Sequence, residues 1–231
     1  KSSGHYITNK AKQDMYYMNQ LVSSFVPKQA RSIMETLETD IMALSASQTA
    51  STANSINGAP HRFVGTGTNE VITVADFAKA RFSLKKANVP DRNLIAIVDP
   101  SVEFEMNTIT NITNVSNNPR WEGIITSGIA SGMSFLANIY GFDVYTSNYL
   151  ADANEQIDSA GATTAAGKAN MFFSADSSVL PFVGAWRQMP QVDSEYNKDY
   201  QREEYVTTAR YGVALYRPEN LVCVLTDTDQ V

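Results

Sequence analysis

Cysteine is nearly absent from this chain. The one thiol among 231 residues, Cys223, lies inside the apolar run Leu221-Val222-Cys223-Val224-Leu225. An intrachain disulfide is therefore excluded, and nothing points to an oxidising compartment. In that context the thiol reads as a strand residue rather than a nucleophile, since no neighbour would lower its pKa. Histidine is almost as scarce. His5 and His61 stand in polar, loop-like surroundings, and neither has a second ligand at zinc spacing. No metal or other cofactor is expected. No apolar run approaches the roughly 20 residues that cross a bilayer as a helix, so no membrane partner is expected. The net charge of −6 lacks the basic excess of a sequence-reading nucleic-acid binder. Catalytic signatures are also missing. There is no G-x-S-x-G elbow, and Gly65-Thr66-Gly67-Thr68 lacks the GK[ST] ending of a phosphate loop. Asp227-Thr228-Asp229 begins like a calcium loop but lacks its later ligands. Asn111-Ile112-Thr113 and Asn114-Val115-Ser116 match the glycosylation pattern without any secretion signal to give it meaning.

The composition, 43% hydrophobic and 18% charged, is that of a globular chain. At this length folding buries about 70% of the surface of the unfolded chain, enough for a core without staples. Val26, Ala30, Ile33, Leu37, Ile41 and Leu44 recur at helical spacing, with Met34 and Met42 widening the stripe. Ser24 and Pro27 serve as start signals, which predicts a helix from 27 to about 48. A shorter helix is expected across 11–22. Residues 45–70 turn Ser/Thr/Asn/Gly-rich and read as a surface connector. Thr73 with Asp76 forms a capping-box start for a second helix through Phe77, Ala80 and Leu84, ended by Asn88-Val89-Pro90. Leu94–Val98 reads as a strand apolar on both faces, and Asp99-Pro100 caps another helix. Trp121 is an expected anchor. A hairpin turning at Tyr140-Gly141 follows, then a loop over 151–168, a strand at 169–174, a short one at Phe182-Val183, and strands at 205–216 and 221–226. The stretch from Asp193 to Glu204 mixes carboxylates with Lys198 and Arg202. It reads as a solvated or intersubunit salt-bridged face. A carboxylate pair of the glycosidase kind and a divalent-ion site are the rival readings of the same residues.

Three segments resemble the major capsid proteins of tailed bacteriophages, the Hong Kong 97-like fold. They are Ala78-Lys79-Ala80-Arg81 through Asn88-Val89-Pro90 into Leu94–Ser101; Ile139-Tyr140-Gly141-Phe142-Asp143-Val144-Tyr145-Thr146-Ser147-Asn148; and Tyr205-Val206 through Ala209-Arg210-Tyr211-Gly212 to Arg217-Pro218. The resemblance covers most of residues 20–226. It implies an α+β chain with a long spine helix, a peripheral-domain sheet and an α/β axial domain. Residues 1–72 would form the first part of the peripheral domain, 73–204 mainly the axial domain, and 205–231 the returning peripheral strands. The N-terminal arm and much of the extended loop would precede Lys1.

The resemblance further implies a non-enzymatic, self-assembling chain. It would form pentamers and hexamers in an icosahedral shell, made in the host bacterial cytoplasm and retained in the virion. Scaffolding, portal and decoration proteins are possible partners, and packaged double-stranded DNA would lie inside without sequence-specific contact. Arg31, Glu35, Glu38, Arg202 and Glu203 are the expected subunit contacts. An encapsulin-type nanocompartment shares the fold. A glycan-binding attachment module and a hydrolase using Asp193 and Glu195 are readings from other classes.

Overall fold

The computed structural model describes residues 1–14, 18–47, 55–108, 135–153, 157 and 167–227. Trp121, both glycosylation-pattern sites and most of the 151–168 loop lie outside them. The elements in chain order are β1 (Ser2–Thr8), α1 (Asn9–Asp14), α2 (Met18–Ser47), β2 (Ser55–Ile56), β3 (Ala59–Pro60), β4 (Arg62–Val64), α3 (Val74–Lys86), β5 (Leu94–Val98), α4 (Pro100–Thr108), β6 (Phe135–Ile139), β7 (Phe142–Thr146), β8 (Lys168–Ser174), β9 (Phe182–Asn197), β10 (Arg202–Leu215) and β11 (Leu221–Thr226). They fall into two compact units. The smaller comprises residues 1–41 and 183–214, and the larger 42–182 and 215–231.

The larger unit is built on a six-stranded mixed sheet in the order β4-β11-β8-β5-β7-β6. β5 and β7 run parallel, and β8 is antiparallel to both β5 and β11. β5, β8 and β11 occupy its interior, which is why Leu94–Val98 and Leu221–Thr226 read as continuous apolar runs. α3 begins as its sequence demands. The Asp76 carboxylate accepts hydrogen bonds from the Thr73 amide and hydroxyl, both at 2.8 Å, and from the Thr66 amide at 3.1 Å. Its buried side chains Phe77, Ala80 and Leu84 face the sheet. Phe77, Phe142 and Phe172 meet edge to face, with centroids 5.2–6.4 Å apart. The β6–β7 turn takes left-handed conformations at Tyr140 (φ 50°) and Gly141 (φ 86°), which fits a two-residue hairpin.

Asn170, fully buried on β8, uses both its amide hydrogens and its oxygen there. Its amide donates to the Val224 carbonyl (3.1 Å) and the Thr226 hydroxyl (2.8 Å), and its oxygen accepts from the Asp99 amide (2.9 Å). The Gly65–Thr68 loop is an instance of close backbone packing. A Cβ on Gly65 would lie 2.6 Å from the Glu70 carbonyl oxygen, so only glycine fits.

The smaller unit sets the antiparallel sheet β1-β10-β9 against α2. Gln29, 7% exposed, ties the layers together. Its amide nitrogen donates to His5 Nδ1 (2.6 Å) and the Tyr205 carbonyl (3.3 Å), and its oxygen accepts from the Thr207 hydroxyl (2.9 Å).

The structure corrects four expectations. The long helix begins at Met18, and Pro27 lies inside it. An interior proline removes one backbone hydrogen bond and its ring crowds the carbonyl four residues back, but its φ is already helical, and the packing of the helix on either side outweighs that local cost. Met34 does not join the covered stripe but is 50% exposed. The 45–70 stretch is not wholly a surface connector. His61 and Arg62 are buried, β4 is a sheet strand, and His61 sits between the carbonyls of Ala59 and Glu219 at 3.0 and 2.9 Å. The Arg62 guanidinium reaches the Ala46 carbonyl at 3.1 Å, so a cation meets the C-terminal end of α2. Finally, the short strand at Phe182-Val183 is the start of a 16-residue strand, and the acidic stretch is the end of the β9–β10 hairpin. Its polar residues extend because the edge strand is exposed on both faces, where no apolar alternation is required.

Candidate assembly surface

The five expected contact residues all belong to the smaller unit. On α2, Arg31 Nε and Glu35 Oε1 form an exposed i,i+4 pair at 2.8 Å, and Glu38 lies half-buried one turn on. On β10, Arg202 and Glu203 are neighbours in sequence, so they point to opposite faces of the strand and take different partners. The Arg202 guanidinium pairs with Glu204 at 2.7 Å and lies over the rings of Tyr6 and Tyr200, at 4.5 and 4.8 Å from their centroids. Glu203 takes Lys12 Nζ at 2.6 Å and accepts from the Tyr205 hydroxyl at 3.0 Å. Those two donors, Lys12 first, hold the Glu203 carboxyl below the ordinary range, and Arg202 does the same for Glu204.

Sequence reasoning missed two contacts here. One is the Gln29 knot, whose signal was a glutamine one helical turn before Ile33 on the sheet-facing side. The other is Asp40, which accepts from the Tyr211 hydroxyl at 2.7 Å and pairs with Lys1 at 3.1 Å. The hydrogen bond from Tyr211 lowers the Asp40 carboxyl most. Burial, and then that carboxylate, push the Tyr211 phenol up to about 12.

The sheet surface is rich in exposed apolar and aromatic groups. Tyr6, Val183, Trp186, Met189, Val192, Tyr196 and Tyr200 are each between 36 and 68% exposed. Asp193 and Glu195, the hydrolase candidates, lie exposed on β9 in a depression of about 340 Å³ with Ser194, Glu204 and Val206. A glycosidase pair needs one carboxyl protonated in an apolar pocket, and this open strand supplies no such enclosure. A wider cavity in the larger unit, about 530 Å³, is lined by Gly67, Val71, Thr73, Ala75 and Glu105, with no nucleophile–base pair among its lining residues. Among the described residues no cluster of His, Cys, Asp and Glu has metal-binding geometry, and no helix is long and apolar enough to cross a membrane.

Comparison with known proteins places this arrangement. The family model described as phage capsid protein matches residues 4–224. A solved structure of Mycobacterium phage Che8 is similar over 97% of this chain and 69% of its own, at 13% identity and TM-score 0.68. The Cyanophage Pam1 capsid asymmetric unit is similar over 100% and 75%, at 13% identity and TM-score 0.68. The holo-SrpI encapsulin complex of Synechococcus elongatus PCC 7942 is similar over 100% and 74%, at 13% identity and TM-score 0.60. No curated protein matches. The fold is the α+β, Hong Kong 97-like capsid fold, whose subunits assemble into multimeric shells. The chain belongs to the phage capsid protein family, and its function is structural, as a major capsid protein of the virion shell.

Proposed function

We propose that the chain assembles as pentamers and hexamers into an icosahedral shell that encloses the double-stranded DNA of a tailed phage. The observation that carries this reading is the family match over 4–224, together with capsid folds covering nearly the whole chain. Heterologous contacts that close on rotation generate such rings. The net charge of −6 suits a container wall, because a wall without basic excess does not bind the phosphates it stores. On this reading the chain has no catalytic role. Assembly takes place in the host cytoplasm, with scaffolding, portal and decoration proteins as partners and no base-specific contact to DNA. The axial role falls mainly to residues 73–204, and the peripheral role to 1–72 and 205–231. Arg31, Glu35, Glu38, Arg202 and Glu203 face neighbouring subunits, where charge sets register more than affinity.

The similarity to an encapsulin complex favours one second reading, a shell around protein cargo. Sedimentation velocity and negative-stain imaging of the protein, expressed with its scaffolding partner, test the proposal. Closed particles of uniform diameter containing DNA are expected. Closed particles filled with protein support the encapsulin reading, and a monomer of about 25 kDa that never assembles overturns both.

A further inference from the structure

The outward side of α2 carries base before acid, the less favourable of the two orders for a helix on its own. Lys28 and Arg31, both exposed, precede the half-buried Glu35 and Glu38 along the same side. In an isolated helix acid before base is the more stabilising order at i,i+4, so the Arg31–Glu35 pair, formed at 2.8 Å, is the weaker orientation. Met34 lies between these charges and is 50% exposed, while Gln29 and Ile33 turn the other side of the helix into the unit. Arg31, Met34 and Glu38 follow one another at i, i+3 and i+7, so they share one stripe.

A second copy of the same helix laid antiparallel across this stripe meets complementary charge at both ends. Its acidic half faces the basic half here, and its basic half faces the acidic half. With the two-fold axis between Met34 and Glu35, Arg31 stands opposite Glu38 of the copy, Glu38 opposite its Arg31, and the two Met34 side chains meet near the axis. A parallel arrangement would set like charges together.

We propose that residues 24–41 of α2 form an isologous, two-fold contact with α2 of a second copy, joined by two Arg31–Glu38 pairs around Met34. This rests on the shell reading above and adds a direction to it. A two-fold contact is closed by two copies and cannot propagate around a five- or six-membered ring. The α2 contact therefore joins one ring to the next, and the rings close through other surfaces.

Charge exchange tests the geometry. Arg31→Glu alone and Glu38→Arg alone each set like charges across the axis twice over. Each should raise the protein concentration needed for assembly by about tenfold or more. Arg31→Glu with Glu38→Arg restores both pairs and should restore assembly, which a purely local role of either residue would not do. Thermal unfolding of the unassembled variants should stay close to the wild type, because the local Arg31–Glu35 pair is exposed and its loss is a small effect, and this separates assembly from folding. As a second readout, Met34→Cys should give disulfide-linked dimers on oxidation of assembled particles. Cys223 is buried and does not compete. Normal shells from both single variants, with no dimer from Met34→Cys, overturn the two-fold contact while leaving the shell reading standing. A wild-type chain that forms no shells fails at the earlier reading and takes this one with it.

Discussion

The two units of this molecule solve the problem of stability in different ways. The larger unit buries a continuous apolar core in which Phe77, Phe142 and Phe172 interlock and β5, β8 and β11 are covered on both faces. In the smaller unit the fully buried apolar side chains among the described residues are Ile7, Ile33 and Ala209. Its layers are joined by polar links instead: Gln29 to His5 and Thr207, Asp40 to Tyr211, and Glu203 to Lys12. Charge divides in the same way. The smaller unit carries nine Lys/Arg and nine Asp/Glu, whereas the larger carries nine and fifteen and so holds all of the net −6. A surface with balanced charge and exposed aromatics is disposed to associate. The larger unit holds the extended apolar core, and the smaller leaves apolar side chains exposed, which on the proposed reading neighbouring subunits cover.

The sharpest way to break this comparison is to open the larger core. Phe172→Ala removes the ring that meets both Phe77 and Phe142, and should lower stability by about 3–5 kcal/mol, read by denaturant unfolding. Asn170→Ala leaves a buried amide, a carbonyl and a hydroxyl without their partner. It should cost about 2–3 kcal/mol in the same assay. Gln29→Leu should cost about 1–2 kcal/mol, with the loss confined to the smaller unit, so that hydrogen exchange speeds in 2–8 and 203–209 while 94–98 and 168–174 stay protected.

A smaller effect is expected from acid. Asp40 and Glu203 have folded-state values depressed below their unfolded ones. Their contribution is present above the ordinary carboxylate range and is lost as pH falls through the folded values, that is, below about pH 4. Tyr211→Phe removes the largest cause of the Asp40 shift and should flatten this acid dependence. It should also remove an alkaline loss that sets in as pH rises from about 10 toward 12. The smallest effect belongs to Met189→Ser on exposed β9, within about 0.5 kcal/mol in the unassembled chain. An equally small effect on assembly would argue that β9 is not covered in the shell.

The larger unit was the more legible of the two in sequence, for a physical reason. Leu94–Val98 and Leu221–Thr226 are buried on both faces, and buried strands advertise themselves as apolar runs. The Thr73–Asp76 start and the Tyr140-Gly141 turn rest on local hydrogen bonding and backbone conformation, which neighbouring residues dictate. β4 was hidden because its first residue is a buried arginine whose partner is the end of a distant helix. β9 was hidden because an exposed strand needs no alternation, and Pro190 inside it reads as a break. Of the proposed contact residues, the charges were visible in sequence, but their pairings within the chain were not. Arg202 pairs with Glu204 and not with Glu203, since a strand sends adjacent side chains to opposite faces. Gln29 and Tyr211 carried no signal beyond a polar group at a helix position facing inward and a tyrosine in a strand.

The measurement that bears most directly on the account is hydrogen exchange on the same protein before and after assembly. The account predicts slow amides in β5, β8 and β11 in both states, and a marked slowing in α2, β9 and β10 only in the assembled particle. Equal protection of the smaller unit in both states would contradict it, because that unit would then be complete without its neighbours.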